Sequence, residues 1–280
     1  MARIRSRGRF LFAGDEKFFI RGVTYGPFPE NKNAEHLPEP EQAAWDFNLM
    51  LQAGINTVRV YDVPPRWLID LAARKGLYVM AGIPWPQHLC FLDQYEVCEK
   101  IKNTVREAAR LHRGNSTLLA WFIGNEIKSH IVRWHGIARV EQFLEELFGI
   151  IREEDPEVLV TYASYPSTEY LDLPWLDFLS FNLYLHEERS FCAYVKRLQN
   201  KAGNIPLVLS ELGMDSLRHG EGGQAEFLFR QLTRAFELGV SGTVAFAWTD
   251  EWVTGGNLID DWTFGIVRAD RSKKPAYEAV

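Results

Sequence analysis

Cysteine is scarce: Cys90, Cys98 and Cys192 are the three in 280 residues. Three cannot all pair and none falls in a C-x-x-C spacing, so neither a disulfide framework nor a structural zinc site is supported. Basic charge is in deficit, with 31 Lys and Arg against 37 Asp and Glu and a net charge of −6. That balance excludes nucleic acid as the main partner, because phosphate contacts call for a basic face. No apolar run approaches the roughly 18 residues of a membrane span. The basic start, Met1 to Arg9, runs into an apolar stretch, Phe10–Ala13, too short for a secretory leader, so a cytoplasmic, reducing compartment is expected. The seven histidines, at 36, 88, 112, 130, 135, 186 and 219, form no H-x-H or H-E-x-x-H pattern, and no metal site is expected. A G-x-S-x-G elbow is missing, and so are G-x-G-x-x-G and G-x-x-x-x-G-K-[ST] loops after the first strand-like segment. No cofactor is expected.

What is present is an ordinary globular composition, 46% apolar and 24% charged, enriched in aromatics with nine Trp. Indoles suit clefts that stack flat, partly apolar ligands. Eight strand-like runs punctuate the chain: Phe18–Tyr25, Thr57–Val63, Leu77–Ile83, Leu118–Gly124, Val158–Ala163, Phe178–Tyr184, Pro206–Ser210 and Gly242–Trp248. Between them, Glu41–Ala53, Arg66–Lys75, Tyr95–Leu111, Val140–Glu153, Phe191–Ala202 and Gln224–Leu238 carry helical periodicity. The fifth connection, Tyr165–Trp175, holds two prolines and predicts one turn of helix at most; a last helical segment begins near Lys274. Strands alternating with helices predict an α/β fold, a single (β/α)8 TIM barrel over 1–280, since about 250 residues is the usual size of that fold. With no linker and no repeat, one domain is expected.

In such a barrel the chemistry lies at the C-terminal ends of the strands. The fourth run closes on Asn125-Glu126 and the seventh on Glu211. Two glutamates facing across one mouth can act as acid/base and nucleophile on a glycosidic bond, at about 5–5.5 Å for retention of configuration. The second run carries Arg59 and Tyr61, and the guanidinium would keep a nucleophilic carboxylate ionised. The sixth closes on Asn182 and Tyr184, whose phenol could bond a carboxylate or a sugar hydroxyl. Trp85 and His88 follow the third run and Trp248 ends the eighth, the two indoles being candidates for stacking on sugar rings. A salt-bridged loop carboxylate or a packed tryptophan is the plainer account of any one of these residues alone. The paired strand-end glutamates make it a poor account of the set.

These motifs carry a resemblance. Gly22-Val-Thr-Tyr25, the segment Gly54 to Tyr61, Gly124-Asn125-Glu126, Asn182-x-Tyr184, Ser210-Glu211-x-Gly213 and the segment Phe264 to Tyr277 resemble the clan A retaining glycoside hydrolases. The nearest match is the catalytic barrel of glycoside hydrolase family 2, with a likeness to the β-1,3-glucanosyltransferases in the Arg-Val-Tyr segment. The barrel is also similar to those fused to bacterial membrane glycosyltransferases, which implies a possible module of a larger glycosyltransferase-containing protein. The resemblance implies Glu126 as acid/base, Glu211 as nucleophile and Asn125 on the sugar 2-hydroxyl, with Arg59 and Tyr184 in support and Trp248 as an aromatic platform. The expected activity is a retaining β-glycoside hydrolase on an oligo- or polysaccharide such as a β-glucan. Transglycosylation on the same barrel, or a catalytically retired carbohydrate-binding barrel, are the alternatives. Family 2 enzymes carry β-sandwich domains before the barrel, whereas about 17 residues precede the first strand-like run here, so their substrate specificity is not carried over.

Overall fold

The computed structural model describes residues 1–280. The chain opens with an antiparallel meander, β1 (Ile4–Arg7), β2 (Phe10–Ala13) and β3 (Glu16–Phe18). Eight parallel strands follow: β4 (Ile20–Thr24), β5 (Thr57–Val60), β6 (Tyr78–Gly82), β7 (Leu118–Asn125), β8 (Leu159–Ser164), β9 (Leu179–Asn182), β10 (Leu207–Leu212) and β11 (Gly242–Ala245). They pair in chain order, and β11 returns to β4 to close the barrel. Outside it run α1 (Pro40–Gln52), α2 (Arg66–Lys75), α3 (Tyr95–Leu111), α4 (Ser129–His135), α5 (Ile137–Glu154), α6 (Glu188–Ala202), α7 (Ser216–Glu237) and α8 (Pro275–Ala279). The connection from β8 to β9 holds only a 3-10 turn at Pro166–Thr168, because its prolines cannot sustain a longer helix. A short hairpin, β12 (Val253–Thr254) and β13 (Asn257–Leu258), projects from the loop after β11. The expected (β/α)8 barrel is therefore the fold.

Each barrel strand is buried on both faces, which is why it reads as a near-continuous apolar run. Outward residues such as Val58, Val60, Leu207 and Leu209 join the helices in one large core. Inward residues, among them Ile20, Tyr78, Met80, Phe122 and Val208, form a second cluster that also contains Ile4 and Leu11 of the meander. The meander thus stoppers the N-terminal end of the barrel. It is tied down where Tyr78 Oη donates to the Ala2 carbonyl (2.7 Å) and Ser241 Oγ to that of Arg9 (2.7 Å).

Several elements differ from the sequence reading, among them the meander, α4 and α7. Phe10–Ala13 is a strand with Leu11 fully buried, rather than an idle apolar stretch. Helix α7 begins at Ser216, eight residues before the expected start, and its first part is kinked at Gly220, where φ is 74°. Asp215 caps this early start, accepting the Arg218 N–H at 2.9 Å. Leu11→Ala is expected to lower the unfolding free energy by about 2–5 kcal/mol without changing the denaturant slope, since it empties part of the stopper. A loss well under about 1 kcal/mol in a urea titration would show that the meander is peripheral to the core.

Candidate active site

Arg59 organises the C-terminal mouth. On β5 the outward positions are Val58 and Val60, so Arg59 points into the barrel, where it is 1% exposed. Its guanidinium carbon lies 4.5 Å from the centre of the Phe122 ring, close enough for cation–π attraction. Nη1 donates to Glu211 Oε1 (2.7 Å) and to the Ser210 carbonyl (2.7 Å), and Nη2 donates to Asn125 Oδ1 (2.7 Å). One buried cation therefore joins strands β5, β7 and β10.

Glu211 is nearly buried and fully engaged. Tyr61 Oη donates to Oε1 at 2.9 Å, and Tyr184 Oη donates to Oε2 at 2.8 Å. Burial, then the charge of Glu211, pushes both phenols well above their usual titration range, so they remain donors. A guanidinium and two phenols thus fix the orientation of this carboxylate.

Glu126 differs in every respect. The register of β7 against β8 shifts between Phe122 and Asn125, and Glu126 itself sits in the left-handed region at φ 53°. For a non-glycine residue that conformation costs roughly 1–3 kcal/mol and is kept where surrounding bonds over-determine it. Here its N–H donates to the Ala163 carbonyl (2.9 Å), and the next N–H, of Ile127, donates to the buried Tyr162 hydroxyl (2.9 Å). The carboxyl group is thereby turned into the cleft, where Asn182 Nδ2 donates to Oε1 at 2.9 Å. Burial, then the nearby Glu211, raises its pKa above the ordinary 4.5, while Asn182, Lys128 and Arg59 pull it down. Lys128 Nζ lies 3.9 Å from Oε2.

Asn182 joins Glu126 to the Arg59 network, giving one amide hydrogen to Glu126 and accepting at Oδ1 from Ser210 Oγ (2.8 Å) and Arg59 Nη1 (3.4 Å). Gln87 holds the remaining end of the motif, its Oε1 accepting the Asn125 N–H at 2.8 Å. The cleft around these groups measures about 550 Å³. Its far wall is aromatic: Phe246, Trp252, Trp262 and Phe264, with Trp252 and Trp262 at 5.8 Å. Asp250 and Lys274 pin that wall, Lys274 Nζ donating to Asp250 Oδ1 (2.7 Å) and Ser216 Oγ (3.0 Å). Arg271 adds a second anchor, paired with the fully buried Asp46 of α1 and with Glu251. Gly213 permits the approach of strand ends beneath it, since a Cβ there would lie 2.2 Å from the Phe246 carbonyl oxygen. No group of three or more His, Cys, Asp or Glu is placed to hold a metal ion.

The structure thus brings Glu126, Glu211, Asn125, Arg59, Tyr61, Asn182 and Tyr184 together and leaves three expected residues aside. Trp248 is fully buried and packs toward Tyr277 with ring centres 6.4 Å apart, so it offers no platform. Strand alternation does not reach it, because β11 ends at Ala245 and Phe246 takes the cleft position. Trp85 donates its indole N–H to the Ile123 carbonyl (2.8 Å) and packs on Phe91, a structural role. His88 is exposed in a turn outside the cleft. Sequence reasoning missed Gln87, Lys128 and the aromatic wall. The signal for the wall was the density of rings between Phe246 and Phe264.

The family model described as glucanosyltransferase matches residues 2–257. The chain belongs to that family. Among curated relatives of this glucanosyltransferase-family chain, the 1,3-beta-glucanosyltransferase gel1 of Aspergillus fumigatus is 26% identical over 241 residues, covering 76% of the chain and 52% of gel1. A Bacteroides fragilis beta-glucuronidase is 25% identical over 218 residues, 71% of the chain and 30% of that protein. The chain spans about half the length of gel1 or less of such relatives. Among solved structures, Ruminococcus gnavus beta-glucuronidase superposes with a TM-score of 0.82 at 18% identity, over 99% of this chain and 53% of that one. At that identity the likeness is one of fold. No helix of the chain is long and apolar enough to cross a membrane.

Two outcomes follow from the network. Arg59→Ala should cost about 3–5 kcal/mol, because it strands Glu211 as a buried, unpaired charge. Arg59→Lys keeps the charge but not the planar fork that reaches Glu211 and Asn125 together. It should fold and lose about 10- to 100-fold in turnover; full turnover in the Lys variant would show that charge alone suffices.

The second outcome concerns Glu126. A carboxyl whose pKa is raised by folding binds more protons in the native state, so it weakens the fold as pH rises above the ordinary 4.5. Glu126→Gln removes that penalty. Its melting temperature relative to wild type should be higher at pH 7 than at pH 4, and a constant difference across that range would refute the assignment.

Proposed function

We propose that the chain is a retaining β-glycosidase acting on β-linked glucan by double displacement. The observation that carries the reading is the division of labour between two carboxyl groups in one cleft. Glu211 is oriented by hydrogen bonds from Arg59, Tyr61 and Tyr184, whereas Glu126 is biased toward its protonated form by burial and by Glu211. A carboxylate bound by three donors beside one whose pKa is raised suits the roles of nucleophile and acid.

In the first step Glu211 attacks the anomeric carbon while Glu126 gives its proton to the leaving oxygen. In the second, Glu126 takes a proton from water or from an acceptor hydroxyl, which displaces Glu211 and restores the β-configuration. Asn125, its Oδ1 fixed by Arg59, is placed to serve the 2-hydroxyl of the reacting sugar. The aromatic wall of Trp252, Trp262 and Phe264 suits stacking against sugar faces on one side of the carboxyl pair. Transfer to a sugar acceptor is the second reading. Membership of the glucanosyltransferase family favours it, as does an aromatic wall able to hold an acceptor against water.

The two glutamates respond differently to removal. Glu211→Ala should abolish turnover of every substrate, since no glycosyl-enzyme can form. Glu126→Ala should still be glycosylated by a dinitrophenyl β-glucoside, whose leaving group needs no proton, and should then stall. Azide should restore its turnover and yield a β-glucosyl azide, identified by proton NMR. An α-azide, or 2-fluoro-glucosyl label on a peptide without Glu211, would overturn the scheme. Product mapping with β-glucan oligosaccharides separates water from sugar as the acceptor.

A further inference from the structure

Helix α7 buries one stripe of side chains, Gln224, Phe227, Leu228, Gln231 and Ala235, at the spacing of a single helical face. Two of the five are glutamines with no exposure, and each leaves its Oε1 without a partner. A buried amide paired at one end only weakens a fold, so its place among apolar residues calls for an explanation. In both, the amide nitrogen reaches a segment at the mouth of the barrel. Gln231 Nε2 donates to the Leu185 carbonyl at 3.2 Å, one residue beyond Tyr184.

Gln224 gathers more. Its Nε2 lies 3.0 Å from the carbonyl oxygens of Met214 and Phe264, 3.2 Å from that of Gly265 and 3.4 Å from that of Thr263. An amide has two hydrogens to give, and the two nearest acceptors are Met214 and Phe264. Met214 stands three residues past Glu211, whereas Phe264 belongs to the aromatic wall of the cleft. The turn before the Gly220 kink binds the same wall segment, Leu217 donating its N–H to Thr263 Oγ1 at 2.7 Å. Phe264 also meets Tyr184 and Trp262, with ring centres 6.2 and 6.1 Å apart. One buried amide thus spans the exit of the Glu211 strand and the base of the wall.

We propose that Gln224 is a positioning residue: its amide clamps the aromatic wall to the segment that follows Glu211, and so sets how firmly a glucan is held beside the two carboxyl groups. Its hydrogen bonds go to backbone carbonyls, so it acts through Phe264 on binding and leaves the chemical step alone. The orphaned Oε1 is the consequence of turning the amide nitrogen toward the carbonyls. The inference rests on the β-glucan reading of the cleft and adds the residue that fixes its sugar-holding face.

Gln224→Met keeps the side chain's length and removes the donor. With a β-1,3-gluco-oligosaccharide as substrate its KM should rise about tenfold, the worth of one hydrogen bond. Its kcat, counted per active site labelled by a 2-fluoro-glucosyl donor, should stay within about twofold of wild type, because ground state and transition state lose the same contact. Phe264→Ala should raise KM as well, and adding Gln224→Met to it should cost little more, since both act on one wall. A fall in kcat at unchanged KM, no change in either, or full additivity with Phe264→Ala overturns the assignment. Gln224→Glu covers the case in which the Met variant does not fold. Its protonated carboxyl still gives one hydrogen, so its KM relative to wild type should climb from pH 5 to pH 8 as that hydrogen is lost; a flat ratio overturns the assignment equally. Wild-type turnover of a dinitrophenyl β-glucoside reports separately on the glycosidase reading. Should that turnover be nil, the same tenfold loss is expected in oligosaccharide binding by calorimetry, and its absence there overturns the clamp, so the two can fail apart.

Discussion

A guanidinium inside the mouth of the barrel is the constraint on which the rest of the site depends. An unpaired cation at 1% exposure would be prohibitively costly, so Arg59 requires Glu211 as its counter-charge and Asn125 and Ser210 as acceptors. Those partners come from β7 and β10, on different sides of the closed sheet. Their positions are therefore fixed together: β10 cannot slip by one residue without turning Glu211 away from Arg59, nor β7 without turning Asn125 away. Closure of the barrel and assembly of the site are in this sense one event. Phe122 beneath the guanidinium supplies an apolar floor that keeps water from competing for it.

The aromatic wall is secured by different means. The segment from Trp252 to Phe264 has little regular structure beyond the two-residue strands β12 and β13. Its ends are instead held by buried ions. Asp250 with Lys274, and Arg271 with Asp46 and Glu251, tie the loop after β11 to α1, α7 and the last segment of the chain. Tyr25 Oη adds a hydrogen bond to Asp46 at 2.8 Å, which joins the end of β4 to the same anchor. Glu211 thus stands on a strand and Glu126 directly after one, while the surface proposed to meet sugar rings hangs from paired charges at its base. This distribution lets sugar-contacting loops vary on a fixed chemical centre.

Much of this was legible in the sequence, for identifiable reasons. Parallel strands buried on both faces must read as apolar runs, and a polar residue closing such a run has one place to go, the barrel mouth. Glu126, Glu211, Arg59 and Tyr184 could be found that way. The meander could not, because β1 is mostly Arg and Ser and reads as a basic leader, and β2 and β3 are only four and three residues long. Helix α4 (Ser129–His135) is too short to show a period. Trp248 and Trp252 illustrate the deeper limit. Both follow the last strand, and only the path of an irregular loop decides which indole enters the core and which the cleft.

The arrangement around Glu126 has a consequence for charge through a catalytic cycle. In the resting cleft Arg59 is paired with Glu211, and Glu211 is, after burial, a cause of the raised Glu126 pKa. In the proposed double displacement, esterification would remove any charge on Glu211 while Arg59 stays where it is, without a counter-anion. The same cation then favours an ionised Glu126 at the stage where a base is required. No side chain has to move for this reversal. In the proposed cycle the sugar, by capping Glu211, would remove a charge that raises the Glu126 pKa, while Lys128 and Arg59 continue to lower it.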